Sequence, residues 1–189
     1  MANDHEGTER RILDAAAACI ATRGYRELSL RGLAKQLGLT TGAFYRHFAN
    51  KDALLRAVSE TISRRLTDEI GQEVGTLGVN DPHEILMTIG LHLLERFNHE
   101  PRIMDFLFFN PSVVGIYRQP RSGEDSFPLL ALTRTTLDRI VTDDHLELSV
   151  DELFIQVWSF IQGYGILIGN GAAALDENLI RRTLRTLTQ

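Results

Sequence analysis

Residues 28–51 read LSLRGLAKQLGLTTGAFYRHFANK, and the spacing of their apolar side chains decides how the chain folds. Leu30, Leu33, Ala34 and Leu37 recur at intervals of three and four, so they share one face of a helix. Ser29 stands before them at the N-cap position, where a side-chain oxygen is wanted. Gly38 follows, and glycine adopts the left-handed conformation that a tight reversal needs; the helix is expected to stop there and Leu39 to rejoin the apolar face. Thr40 can cap a second short helix, anchored to the core by Phe44 and Phe48. The pattern predicts a helix-turn-helix with Thr40, Thr41, Gly42, Ala43, Tyr45, Arg46 and His47 at the surface.

Small residues at the leading end of that second helix let its N-terminus descend into a major groove, and Tyr45, Arg46 and His47 supply polar reach. Asn50 is the expected N-cap of a third helix. Lys51 in its first turn opposes the helix dipole, a conflict that a phosphate resolves by binding the ammonium and the free N–H groups together.

Residues 9–56, with TTGAFYRHFANKDALL at their centre, resemble the DNA-binding domain of the TetR family of bacterial transcriptional regulators. The resemblance implies that Thr41, Gly42, Ala43 and Arg46 approach base edges, while Arg31, Thr40, Tyr45, His47 and Lys51 hold phosphates. Arg46 occupies a position open to either contact, because a bidentate arginine on guanine is the commonest specific pair and a phosphate is equally in reach.

Outward from this stretch, a first helix is expected over 8–23, with Ile12, Leu13, Ala16, Ala17 and Ile20 as its stripe and Gly24 at its end. The helix that begins at Asn50 continues through Leu54, Leu55, Val58, Ile62, Leu66 and Ile70, roughly 30 Å at 1.5 Å per residue, and is expected to break at Gly71, Gly75 and Gly78. The reading places a DNA-binding domain at 1–50, the start of a connecting helix at 50–70, and a ligand-binding and dimerisation domain over 51–189. Asp81-Pro82-His83-Glu84 opens a helix to His99, and Pro101 opens another that runs to Pro111. Residues 111–117 read as irregular or a short helix, and QPRSGEDS at 119–126 as a mobile loop. Helices are expected over 127–141, over 150–168 behind a Ser149/Glu152 capping box, and from Asp176 onward. No segment alternates as a strand and no repeat is apparent, so the fold class is all-α: a three-helix helix-turn-helix domain and a larger helical bundle.

The helices over 127–141 and 150–168 carry more apolar side chains than one buried stripe requires, which suggests an identical partner. A two-fold dimer sets two reading helices roughly 34 Å apart on a palindromic operator of double-stranded DNA. In similar proteins these two helices form the interface, which makes Leu130, Leu137, Phe154, Val157, Ile161 and Gly165 the candidates here. Gly163, Gly165 and Gly169 mark either close backbone approach or a C-terminal kink. The resemblance also implies a pocket for a small-molecule effector, apolar or aromatic, with Met87, Phe97, Met104, Phe106, Leu107, Phe108, Phe109 and Trp158 as candidate lining residues. WSFIQG at 158–163 is similar to a Trp-His-Gly motif of one subgroup, with Gln162 where histidine is usual.

The net charge of −5 is unevenly divided: residues 1–60 hold nine Lys and Arg against seven Asp and Glu, and the remainder eleven against eighteen. DNA affinity is therefore expected from local cations and should fall with salt. Hydrophobic content of 43% suffices for a core, and the one cysteine, Cys19, excludes an internal disulfide. Cys19 reads as a buried, inert thiol ahead of a sensor. No leader peptide or membrane-length apolar run is seen, so the expected location is the cytoplasm. No catalytic constellation, metal set or cofactor motif is found; His92, Glu95 and His99 share a helix face at a spacing too loose to prefer over solvated side chains. The functional expectation is a dimeric regulator, a repressor released by its ligand. The competing one is a helical ligand-binding protein or enzyme whose N-terminal hairpin only packs.

Overall fold

A computed structural model describes residues 2–114 and 127–189. Its elements are α1 (Ala2–Arg23), a 3-10 turn (Tyr25–Glu27), α2 (Leu30–Gln36), α3 (Thr41–His47), α4 (Lys51–Leu77), α5 (Pro82–His99), α6 (Pro101–Phe109), α7 (Pro111–Val114), α8 (Pro128–Asp143), α9 (Val150–Gly169) and α10 (Glu177–Leu187). No strand occurs among the described residues, and the fold is all-α. The loop expected over 119–126 lies outside the described residues.

The chain divides into two compact units, Met1–Ile62 with Arg102–Glu124, and Ser63–Pro101 with Asp125–Gln189. In the first, Ile12, Ala16 and Ile20 of α1 are fully buried beside Leu33, Ala34, Phe44, Phe48, Leu54 and Val58. Gly38 has φ +68°, and Leu39 N–H donates to the Ala34 carbonyl at 2.9 Å, a helix C-terminus that only a residue free of a Cβ penalty closes well. Cys19 is buried, with an Arg23 guanidinium donating to its sulfur at 3.2 Å.

The segment that follows Pro101 belongs to this unit as well. Arg102 donates to the Thr22 carbonyl at 2.7 Å, Asp105 pairs with Arg26 at 3.4 Å, and the Phe106 ring lies 5.8 Å from that of Tyr25. Ser112 Oγ donates to Asp52 at 2.7 Å. Met104 and Phe106 are fully buried here.

Helix α4 departs from the sequence expectation. It does not break at Gly71 but runs through Gly71 and Gly75 to Leu77, and ends where Gly78 takes φ +63°. An interior glycine costs a helix only about 1 kcal/mol, whereas a left-handed residue stops it outright.

In the second unit α5, α8, α9 and α10 pack around Ile89, Leu93, Leu94, Leu137, Leu153, Val157, Ile161 and Ile180, all fully buried. The starts are capped as the residues dictate: Asp81 accepts from His83 N–H, Ser149 and Glu152 form a reciprocal box, and Asp176 accepts from two amides. Gly165 lies flat against Phe97, leaving no room for a side chain.

Glu69 on α4 ties the polar edge of this unit. It accepts from Arg65 at 2.8 Å, pairs with Arg96, and lies 3.2 Å from His92 Nε2. Partial burial works against its charge, but the two guanidiniums outweigh that, and its carboxyl is held below the usual glutamate range. A depressed carboxylate contributes stability above its unfolded pKa that is lost as pH falls through its folded pKa. Glu69→Gln is therefore expected to unfold more readily than the parent at pH 7, with the gap closing in urea melts as acid protonates the Glu69 carboxylate of the folded parent. A gap independent of pH would assign the loss to packing.

Candidate nucleic-acid interface

Three side-chain caps hold the starts of α2, α3 and α4. Ser29 Oγ accepts from Gly32 N–H at 3.3 Å, Thr40 Oγ1 from Ala43 N–H at 3.1 Å, and Asn50 Oδ1 from Ala53 N–H at 2.8 Å. Between them, Phe44 and Phe48 are buried with ring centroids 6.4 Å apart, which fixes the rotation of α3 about its axis. That rotation leaves Thr40, Thr41, Gly42, Tyr45 and Arg46 exposed, with Ala43 and His47 half-buried, and Arg31 exposed on α2. Tyr45 is 45% exposed and meets Phe44 edge-on.

Lys51 does not sit free in solvent. Its ammonium donates to the Arg26 carbonyl at 3.2 Å, which places the charge beside the first turn of α4, and Arg26 in turn lies 4.7 Å from the Tyr25 ring centroid. No pattern in the sequence signals this link, because nothing in the spacing of Arg26 and Lys51 brings them together.

Gly42 offers a test that separates folding from recognition. It lies inside α3 with no positive φ, and a Cβ built on it meets no heavy atom within 4 Å. Nothing in the protein requires glycine there, and alanine should stabilise the helix by up to about 1 kcal/mol. Close approach of another molecule's surface does require it. Gly42→Ala is therefore expected to melt at the same or a higher temperature and to bind duplex DNA more weakly; equal binding would remove Gly42 from the contact surface.

The other candidate residues fall in two places. Met104, Phe106, Leu107 and Phe108 are buried in the first unit with Phe109 half-buried beside them, whereas Met87, Phe97 and Trp158 are buried in the second. Among the candidates for a dimer face, Leu137, Phe154, Val157 and Ile161 are buried inside their own unit, and Gly165 is occupied by Phe97, because α5 and α8 use the apolar side of α9 as core. Leu130 is half-buried. The apolar surface α9 leaves open is a different set: Ile155 is 63% exposed, Leu167 49% and Ile166 40%, with exposed Ser159 and Gly163 between them. Positions 155, 159, 163 and 167 recur every four residues, a stripe present in the sequence but masked there by the richer core pattern. No helix among the described residues is long and apolar enough to cross a membrane, and those residues hold no cluster of metal-ligating side chains.

Residues 12–58 match the family described as bacterial regulatory proteins, tetR family. An HTH-type transcriptional repressor of Mycobacterium tuberculosis is 36% identical over 80 residues, 42% of each chain. The HTH-type transcriptional regulator AcrR of Shigella flexneri is 32% identical over 111 residues, 57% of this chain and 51% of that one. The chain thus spans about half the length of the curated relatives it matches. Over nearly its whole length it shares a fold with the transcriptional regulator FadR of Bacillus subtilis, solved with stearoyl-CoA, at a TM-score of 0.66 and 17% identity, covering 95% of this chain and 97% of that one.

Proposed function

We propose, from the match of residues 12–58 to the tetR family of bacterial regulatory proteins, that this protein is a DNA-binding transcriptional regulator, a repressor rather than an enzyme. The observation that carries the reading is the exposed face of α3, where Thr41, Gly42, Tyr45 and Arg46 are exposed although the core needs none of them. Thr41, Gly42, Ala43 and Arg46 meet base edges, and Arg31, Thr40, Tyr45, His47 and Lys51 hold phosphates.

The regulator acts as a homodimer on a palindromic operator. Support comes from the uncovered stripe Ile155, Ser159, Gly163, Ile166 and Leu167, whose small central residues suit close packing of two helices. A small apolar or aromatic effector releases the DNA, bound among the buried aromatic side chains of the C-terminal region, with α4, which contributes residues to both units, carrying the change.

Two substitutions test the site. Lys51→Ala should weaken binding equally on all sequences and reduce the salt slope by about 1, whereas Arg46→Ala should alter sequence preference through a base contact. Binding that neither variant changes would place the DNA elsewhere.

A further inference from the structure

Asn110, between α6 and α7, is 1% exposed, and its side-chain nitrogen has no hydrogen-bond partner. The orientation of the amide is not arbitrary. Its Oδ1 accepts from Ser112 N–H at 3.1 Å, and turning the group over would set an N–H against an N–H. The Nδ2 donor is therefore committed, buried and unanswered, an arrangement that costs free energy and is rare in native interiors.

We propose that Asn110 Nδ2 is the polar anchor of the effector site, and that the ligand presents a hydrogen-bond acceptor, a carbonyl or ether oxygen, to it on an otherwise apolar body. The proposal rests on the effector reading above and deepens it. The chain leading to Asn110 is apolar and buried: Phe106 and Leu107 lie one helical turn before it and Phe108 two residues before. One acceptor in an apolar setting is what a single unmatched donor selects for, because a ligand without it leaves the donor unpaired.

The same residue has a short route to the DNA surface. Asn110 Oδ1 holds Ser112 N–H, Ser112 Oγ donates to Asp52 at 2.7 Å, and Asp52 follows Lys51 in the first turn of α4. An acceptor that draws the Asn110 amide toward itself pulls on the link that positions the start of α4, so ligand binding and the phosphate grip of Lys51 are coupled within one unit.

The test uses two probes of nearly one shape, acetophenone and α-methylstyrene, in which a carbonyl oxygen replaces a methylene. On the full-length parent protein, acetophenone is expected to bind about three- to tenfold more tightly, to shift the Asn110 side-chain NH2 resonances in 15N spectra, and to lower operator affinity. Asn110→Leu should bind the two probes alike, and it also removes the acceptor for Ser112 N–H, so its operator affinity is compared with and without each probe and not with the parent's. The NMR titration needs no variant, so the test stands even if Asn110→Leu does not fold. Both probes binding with equal affinity and without moving the Asn110 amide would overturn the anchor but leave an effector pocket standing. Failure of both to bind at millimolar concentration would overturn the anchor, and failure of a wider screen of apolar and aromatic compounds to release DNA would overturn the effector reading itself.

Discussion

If the proposed dimer closes through α9, Gly163→Arg is expected to leave a monomer and to lower operator affinity by about 10²- to 10⁴-fold, the gain that linking two binding modules ordinarily provides. Gly163 is exposed at the centre of the α9 stripe, and a Cβ there meets nothing within 4 Å of its own chain. An arginine therefore leaves the protomer intact while placing a charge and a long side chain where two helices must close. Aspartates at Ile155 and Leu167, which are 63% and 49% exposed, should do the same by a different chemistry. Sedimentation gives the state of assembly, and titration of an operator duplex gives the affinity. A variant that remains dimeric with full affinity would move the interface off this face of α9.

Gly165→Ala, two residues away, should act on the opposite property. A Cβ at Gly165 falls 2.7 Å from Phe97 Cγ and closer still to two other ring carbons, distances at which something must shift. Phe97 is 3% exposed and has little room to yield. Overpacking of this kind costs about 1–3 kcal/mol, which outweighs the gain of up to about 1 kcal/mol from replacing a helical glycine. Urea unfolding should show the loss, and Phe97→Leu should recover part of it, because neighbours in contact are not additive. Gly163→Ala, by contrast, should be neutral or stabilising in the isolated protomer. Equal stability of the two alanine variants would mean that Phe97 does not pack against Gly165.

The difference between these two glycines marks where sequence stops being legible. Both read as weak points in one helix, and only the packing of α5 against α9 tells which is pressed and which is open. The same limit applies to Val157 and Ile161, which composition offers equally to a core or to a partner; both are fully buried in their own unit. The reading helices were legible for the opposite reason. Ser29, Thr40 and Asn50 cap through local hydrogen bonds, and Gly38 turns through its own φ, so nothing distant decides them. Local rules failed at Gly71, where helix propensity was outweighed, and at Ala2, since α1 begins before its first apolar repeat. The link from Lys51 to the Arg26 carbonyl and the unmatched donor of Asn110 were out of reach, because both depend on what tertiary structure brings near them.

The central claim, that two copies of α3 read a symmetric DNA site, is tested most directly by selection from random duplexes. The purified protein is mixed with the pool at moderate salt, and the retained DNA is sequenced. Enrichment of a palindrome whose half-sites lie about 34 Å apart, or a multiple of it, is the expected result. A folded, dimeric, ligand-free sample that retains no sequence above the starting pool would contradict it.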